Sequence, residues 1–207
     1  MSEQLSIKYD KSEKYKYIEL PNLQIKYYNN YFDKNESSKH FKNLFDNIRW
    51  QTDTVNVWGK TFQLQRKIAW YADEGKSYRY SGKTLHPLPW TDDLIEIKYK
   101  IEKVTKTKFN SVLLNDYSSG EVGMGWHSDD EKELGTNPLI GSVSFGAERD
   151  FYLKHNNNTK IKKLKLNLTN GSYLMMMGET QHHWKHSIPK RMKIKGRRIN
   201  LTFRKIL

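Results

Sequence analysis

The segment GWHSDDE, residues 125–131, places His127 two positions before Asp129. In a strand or extended turn, positions i and i+2 project to the same side, so this imidazole and carboxylate can close on one cation. With seven histidines and 23 acids in the chain, about one such pair is expected by chance, and the pair alone decides nothing. A third ligand must come from elsewhere. His186 lies 57 positions beyond Asp129, in HHWKHSIPK, far enough for several strands to return beside the first. His182 and His183 of the same stretch compete for the role. Two histidines and one carboxylate leave three positions open on Fe(II), enough for a bidentate co-substrate plus dioxygen. Zinc more usually takes a closed N/S set, or three ligands and a water. The plainer reading is a group of exposed histidines that serve no metal.

A second group lies in RRINLTFR. Arg198 and Arg204 are six apart, so on a strand they share a face with Asn200 and Thr202. A buried face with two guanidinium groups needs anions, and a small dicarboxylate would satisfy both through bidentate contacts. The competing reading is a pair of ordinary phosphate-facing basic residues.

Composition limits what else these residues can be. The chain has 207 residues, which suits one domain or one and a half. Only 36% are hydrophobic and 29% are charged, yet 6 Trp, 13 Tyr and 8 Phe imply a folded core built around rings. The absence of cysteine excludes disulfides, thiolate zinc sites and a cysteine nucleophile, so any metal sits on histidines and carboxylates. No run approaches the roughly 18 apolar residues of a membrane span, and MSEQLSIKYDKSEKYKYIEL lacks the apolar stretch of a secretory signal. The expectation is an intracellular protein with no membrane partner, cytoplasmic in a bacterium or nuclear in a eukaryote. The net charge of +13 is concentrated at one end: residues 160–207 carry 13 basic residues and one acid, Glu179. Such asymmetry suits a polyanion, because cations that neutralise phosphates release counterions. A solvated basic face is the simpler alternative.

The elements that must position these groups follow from periodicity. Residues 1–20 are polar, and part of them is expected to be disordered. SSKHFKNLFDNIRW (37–50) opens with serines able to cap a helix, and Phe41, Leu44, Phe45 and Ile48 fall at helical spacing. Residues 51–90 are rich in aromatics, glycine and strand formers and predict hairpins joined by DEG and SG turns. TDDLIEIKYKIEKVTKT (91–107) predicts a second helix, with Thr91 as N-cap and acids in its first turn. From 108 onward short strand-like segments recur. The fold class is therefore α+β, with the strands forming a sandwich or jelly roll. The expected division is an N-terminal extension over 1–40, a helix and lid over 41–90, and the main domain over 91–207.

Taken together, FNSVLLNDY, WHSDDE, SVSFGAERDF, TQHHWKHSIPK and RRINLTFRK resemble the AlkB family of Fe(II)- and 2-oxoglutarate-dependent nucleic-acid dealkylases, over roughly residues 50–205. The likeness is greatest to the eukaryotic-type DNA repair branch and similar bacterial proteins. It implies a double-stranded β-helix (a jelly roll) with flanking helices and a nucleotide-recognition lid. It also implies His127, Asp129 and His186 as iron ligands. Asn115, Tyr117, Arg198, Asn200, Thr202 and Arg204 would contact 2-oxoglutarate, the question of which arginine holds which carboxylate staying open. Glu131 would accept from the exocyclic amine of the target base. In the lid, Tyr78 and Tyr80 would stack on the flipped base, Arg66 would grip a phosphate, and Trp58, between Val57 and Gly59, would be a finger pushed into the base stack.

The activity so implied is oxidative demethylation of 1-methyladenine and 3-methylcytosine in DNA, using Fe(II), O2 and 2-oxoglutarate and releasing formaldehyde, succinate and CO2. The partner is alkylated single- or double-stranded DNA, and a monomer is expected. The alternatives are the same chemistry on RNA or on a protein side chain, and a non-catalytic basic module that binds nucleic acid.

Overall fold

The computed structural model describes residues 6–10, 14–57, 60–76, 78–80, 83–85 and 87–207. Three strands come first: β1 (Ser6–Asp10), β2 (Tyr15–Leu20) and β3 (Leu23–Tyr28). The polar start of the chain is thus strand rather than disorder where it is described. Its period-two pattern buries Ile18, Leu23 and Ile25, and β3 pairs antiparallel with a strand from the far end of the sequence.

Helix α1 (Lys34–Asn47) begins three residues before the serines expected to cap it. Asp33 is the cap: its carboxylate accepts from the backbone N–H of Asn35 and Glu36, and the Glu36 side chain accepts from the Asp33 N–H in return. That reciprocal pair satisfies the first-turn donors better than a lone serine does. Strands β4 (Gln51–Val57), β5 (Lys60–Ala72), β6 (Tyr78–Tyr80) and β7 (Lys83–Leu85) follow; β4 pairs with β5 and β6 with β7, whereas the DEG stretch expected to close a hairpin links β5 to β6, which lie in different sheets. Helix α2 (Asp92–Thr105) starts as its sequence predicts, the Thr91 hydroxyl accepting from Leu94 N–H.

The remaining elements are β8 (Ser111–Tyr117), β9 (Met124–His127), β10 (Ile140–Gly146), β11 (Arg149–His155), β12 (Leu164–Leu168), β13 (Ser172–Met177), the short α3 (Thr180–His183), β14 (Trp184–Ile188) and β15 (Arg198–Arg204). Among the described residues they form two facing sheets, one in the order β1-β2-β3-β13-β10-β15-β8-β5-β4 and one in the order β12-β11-β14-β9. The eight strands β8 to β15 are shared equally between the sheets, the arrangement of a jelly roll. β5 continues the large sheet by pairing Lys67–Ala72 with β8. The expected lid segment is therefore joined to the main sheet at its second strand.

The central strand β15 shows how the layers are made. It is buried on both faces, and its side chains alternate. Ile199, Leu201 and Phe203 pack with Leu94, Ile97 and Ile101 of α2 and with Leu44 of α1, outside the large sheet. Arg198, Asn200, Thr202 and Arg204 point the other way, into the space between the sheets. Replacing Asp33 by Ala should cost about 1 kcal/mol, because two helix N–H groups lose their acceptor. Ser38→Ala, at an exposed hydroxyl, should change stability by less than about 0.5 kcal/mol. Urea unfolding of both variants checks this.

Candidate functional site

The polar face of β15 forms one wall of a cavity of about 240 Å³ between the sheets. Its cross-strand partners on β8 continue that wall. Tyr117 lies opposite Arg198, and Asn115 opposite Asn200. The facing wall comes from β9 and β14, whose pairing sets His127 directly against His186 with ring centroids 4.2 Å apart. Asp129 sits just past the end of β9. Its backbone N–H donates to Gln181 Oε1 at 2.9 Å, and the neighbouring Ser128 hydroxyl donates to the Trp184 carbonyl at 3.0 Å. Those two bonds turn the chain so that one ligand atom from each of His127, Asp129 and His186 lies within 4.8 Å of the others.

The competing histidines are elsewhere. His182 is exposed on α3, its Nε2 accepting from Asn137 N–H, and His183 packs near His155 and Glu179. Helix geometry turns them from the cavity, whereas β14 aims His186 into it.

Each of the three side chains is in a form that can bind a cation. His127 Nδ1–H donates to the Gly125 carbonyl at 2.9 Å, which leaves Nε2 as the nitrogen that could ligate. Burial, with the His127 imidazole beside it, pushes His186 down to about 3, against the pull of Asp129, so the ring is neutral near pH 7. Burial alone would raise Asp129, but the Arg204 guanidinium, helped by both imidazoles, outweighs it and holds the carboxyl at about 2. Arg204 Nη2 donates to Asp129 Oδ1 at 2.7 Å with both side chains buried. Two imidazole nitrogens and one carboxylate oxygen, with cavity on the open side, fit Fe(II).

The cavity also fits an anionic co-substrate. Arg198 is 1% exposed, and its Nη2 donates to Ser144 Oγ at 2.9 Å. Its Nε and Nη1 make no hydrogen bond to the described residues. Burial lowers this guanidinium to about 10, although Tyr117 pulls it back up. A buried cation with two unused donors is costly unless an anion meets it. Asn200 is differently placed, because its amide donates to Ser142 Oγ and Val143 O, both at 2.9 Å, and Thr202 donates to its Oδ1. It therefore braces the wall as well as lining it.

Glu131 lies half-buried on the cavity wall, where the 3-10 turn Lys132–Leu134 begins. Arg66 departs from expectation. It is 6% exposed, and its Nε donates to Asn115 Oδ1 at 2.7 Å, so it orients that amide from inside the protein and is not set out to grip a phosphate. Its place on β5, next to the stretch that pairs with β8, carries it inward. Tyr78 and Tyr80 are on β6. Trp58 and Gly59 lie outside the described residues. Sequence reasoning passed over Ser142, Ser144 and Gln181, which hold Asn200, Arg198 and the Asp129 backbone. The alternation in SVSFG could have shown the two serines sharing a face, whereas nothing local to TQHH marks Gln181.

The proton balance gives a testable result for the metal-free protein. Unfolded His186 takes up a proton below about 6.5, while the folded ring stays neutral to about 3. Stability should therefore fall as pH is lowered through that window. Asp129 adds to the loss at the acid end, as its folded carboxyl is protonated only near 2. Urea midpoints at pH 7 and pH 5 should differ less for His186→Gln than for the wild type.

The chain is similar to known proteins. A profile of the 2OG-Fe(II) oxygenase superfamily matches residues 24–204. The chain is 41% identical over 185 residues to the DNA oxidative demethylase ALKBH2 of Bos taurus, covering 85% of this chain and 66% of that one. With ALKBH2 of Homo sapiens the identity is 42% over 185 residues, covering 85% and 71%. With the alpha-ketoglutarate-dependent dioxygenase alkB homolog 3 of Homo sapiens it is 35% over 187 residues, covering 86% and 65%. The chain thus spans about two thirds of the length of these relatives. The solved structure of OsALKBH1 superposes with a TM-score of 0.63 over 97% of this chain and 100% of that one, at 15% identity, a likeness of fold alone.

Proposed function

Since the chain belongs to the AlkB branch of the 2OG-Fe(II) oxygenase superfamily, we propose that it removes methyl groups oxidatively from N-alkylated bases in DNA, 1-methyladenine and 3-methylcytosine among them. It is a dioxygenase with Fe(II), 2-oxoglutarate and O2 as its cofactors. The observation that carries the reading is the convergence of His127, Asp129 and His186 in one cavity with Arg198 and Arg204.

Iron, 2-oxoglutarate and O2 together supply an oxidation that no side chain can perform, and the methyl carbon leaves as formaldehyde with succinate and CO2 as co-products. The protein's own part is binding and orientation. His127 Nε2, the His186 imidazole and the Asp129 carboxylate would hold the metal. Arg204 keeps that carboxylate ionised and turned inward. The two arginines start about 20 Å apart along β15, at roughly 3.3 Å per residue, so they serve opposite ends of a small diacid. Arg204, bonded to Asp129, would meet one carboxylate of the diacid, and Arg198 would meet the other with its two unused N–H groups. Tyr117 and Asn115 flank it, the latter oriented by Arg66.

On the substrate side, Glu131 offers a carboxylate at the cavity wall. It can accept from the exocyclic amine of adenine or cytosine, and its charge favours a methylated, cationic ring over a neutral one. Such a ring has lost normal pairing, which makes its extrusion less costly. Tyr78 and Tyr80 of the lid would stack on it, and Trp58 would fill the gap left in the duplex. The basic final quarter of the chain suits a phosphate backbone.

Formaldehyde release from methylated DNA and RNA oligonucleotides, single- and double-stranded, tests the reading. Release is expected from DNA, and turnover confined to RNA would reassign the substrate. Asp129→Ala should lower it by at least about 10²-fold, since the metal loses its only charged ligand. Undiminished turnover would remove the ligand assignment. Trp58→Ala should hurt duplex repair more than single-strand repair, and equal losses would make Trp58 structural.

A further inference from the structure

Arg149 opens β11 and is 1% exposed, one of the largest fully buried side chains in the protein, yet the reaction described above makes no use of it. Its guanidinium holds backbone. Nη1 donates to the Ser119 carbonyl at 3.2 Å, and Nη2 donates to the Val122 carbonyl at 2.9 Å and the Pro189 carbonyl at 2.8 Å. Its Nε makes no hydrogen bond to the described residues. Ser119 and Val122 belong to the link from β8 to β9, and Pro189 follows β14. One side chain thus fastens the segment between Tyr117 and the His127 strand to the exit of the His186 strand. The backbone closes the same seam: Arg191 N–H donates to Gly120 O at 2.6 Å, and Gly120 N–H to Ile194 O at 2.7 Å. The approach is so close that a Cβ on Gly120 would stand 1.9 Å from the Arg191 carbonyl oxygen.

The same guanidinium lies 5.8 Å from the centroid of the Tyr117 ring, and Arg198 lies 5.3 Å from that centroid. Tyr117 is 3% exposed and pairs across the sheet with Arg198. Two buried cations therefore share one aromatic ring at one end of the cavity. A cation against an aromatic face is favourable when desolvated, so Arg149 restrains the ring that in turn restrains Arg198. Two like charges in a low dielectric also repel, and an anion arriving between the walls relieves both.

We propose that Arg149 is a positioning residue that makes the far end of the cavity selective for a dicarboxylate. By fixing Tyr117 and the 119–122 link it leaves Arg198 Nε and Nη1 to the second carboxylate, and it adds a second buried positive charge there. The inference rests on the co-substrate reading of Arg198.

The test is calorimetric binding of 2-oxoglutarate, and of 2-oxobutyrate, which lacks the second carboxylate, to the Mn(II)-loaded protein. Arg149→Met should weaken 2-oxoglutarate binding roughly tenfold and 2-oxobutyrate binding little, so the preference for the diacid falls by about the same factor. Arg149→Lys keeps the charge without the fork or the stacking plane and should fall between. In turnover, the 2-oxoglutarate KM should rise while kcat at saturation stays within about twofold. An unchanged diacid preference in both variants overturns the proposal. So does a joint loss of thermal midpoint, kcat and Mn(II) affinity with the preference kept, which is what a merely structural arginine would give. If Arg149→Met does not fold, Arg149→Lys decides by the same preference. Arg198→Met separates the two levels. If it leaves the preference intact, the co-substrate reading itself fails. If it abolishes the preference while the Arg149 variants keep it, only the present inference fails.

Discussion

Arg204 and Asp129 bury opposite charges 2.7 Å apart between two β-sheets, and the arrangement of the site follows from that pair. Burying an unpaired guanidinium on β15 would cost several kcal/mol, as would an unpaired carboxylate beside β9. Together each makes the other tolerable. The contact reaches from the centre of the large sheet to the edge of the small one, so it also fixes the gap across which the cavity forms. Removing either partner leaves the other charged and dry, which destabilises more than the pair itself stabilises.

From that contact the site divides into a polar floor and a histidine wall. The floor is the polar face of β15, and β10 braces it with two serines: Ser144 accepts from Arg198 and Ser142 from Asn200. Behind it Ile199, Leu201 and Phe203 press against the helices, so the polar row cannot rotate away without exposing an apolar one. The wall depends on register. β9 is four residues long, and its pairing with β14 shifts between His186 and Ile188. A slip of one residue would turn either histidine to solvent. The bonds of Asp129 N–H to Gln181 and of the Ser128 hydroxyl to Trp184 O anchor the segment that leaves that short pairing. Rigidity of this kind is what a reaction on an inert methyl group needs, because the bound groups must meet in one geometry.

Much of this was legible in the chain itself. The α+β class, the second helix with its Thr91 cap, the hairpins of 51–85 and the jelly-roll strands after 108 all follow from period and turn residues. The even spacing of Arg198, Asn200, Thr202 and Arg204 put them on one face before any partner was known. Two parts of the structure depend on pairing that no local pattern shows. The polar start forms strands where it is described because β2 pairs with β3, and β3 with β13, about 150 residues later. The resemblance implied that Arg66 grips a phosphate, but the strand pairing of β5 with β8 carries it inward to Asn115.

What the sequence determined by itself is the list of chemical groups and the face each occupies, because both depend on side-chain type and on a local period of two. It could not show which of His182, His183 and His186 faces the cavity, nor which arginine meets Asp129, nor that Arg149 holds backbone. Tertiary structure decided these, through the pairing of β9 with β14, the ion pair from β15 to Asp129 and the closure of the 119–122 link on Pro189. The physical reason is that a desolvated charge accepts only the partner brought to it, and contacts between residues 27 to 75 positions apart are settled by how the sheets close, not by any pattern within one strand.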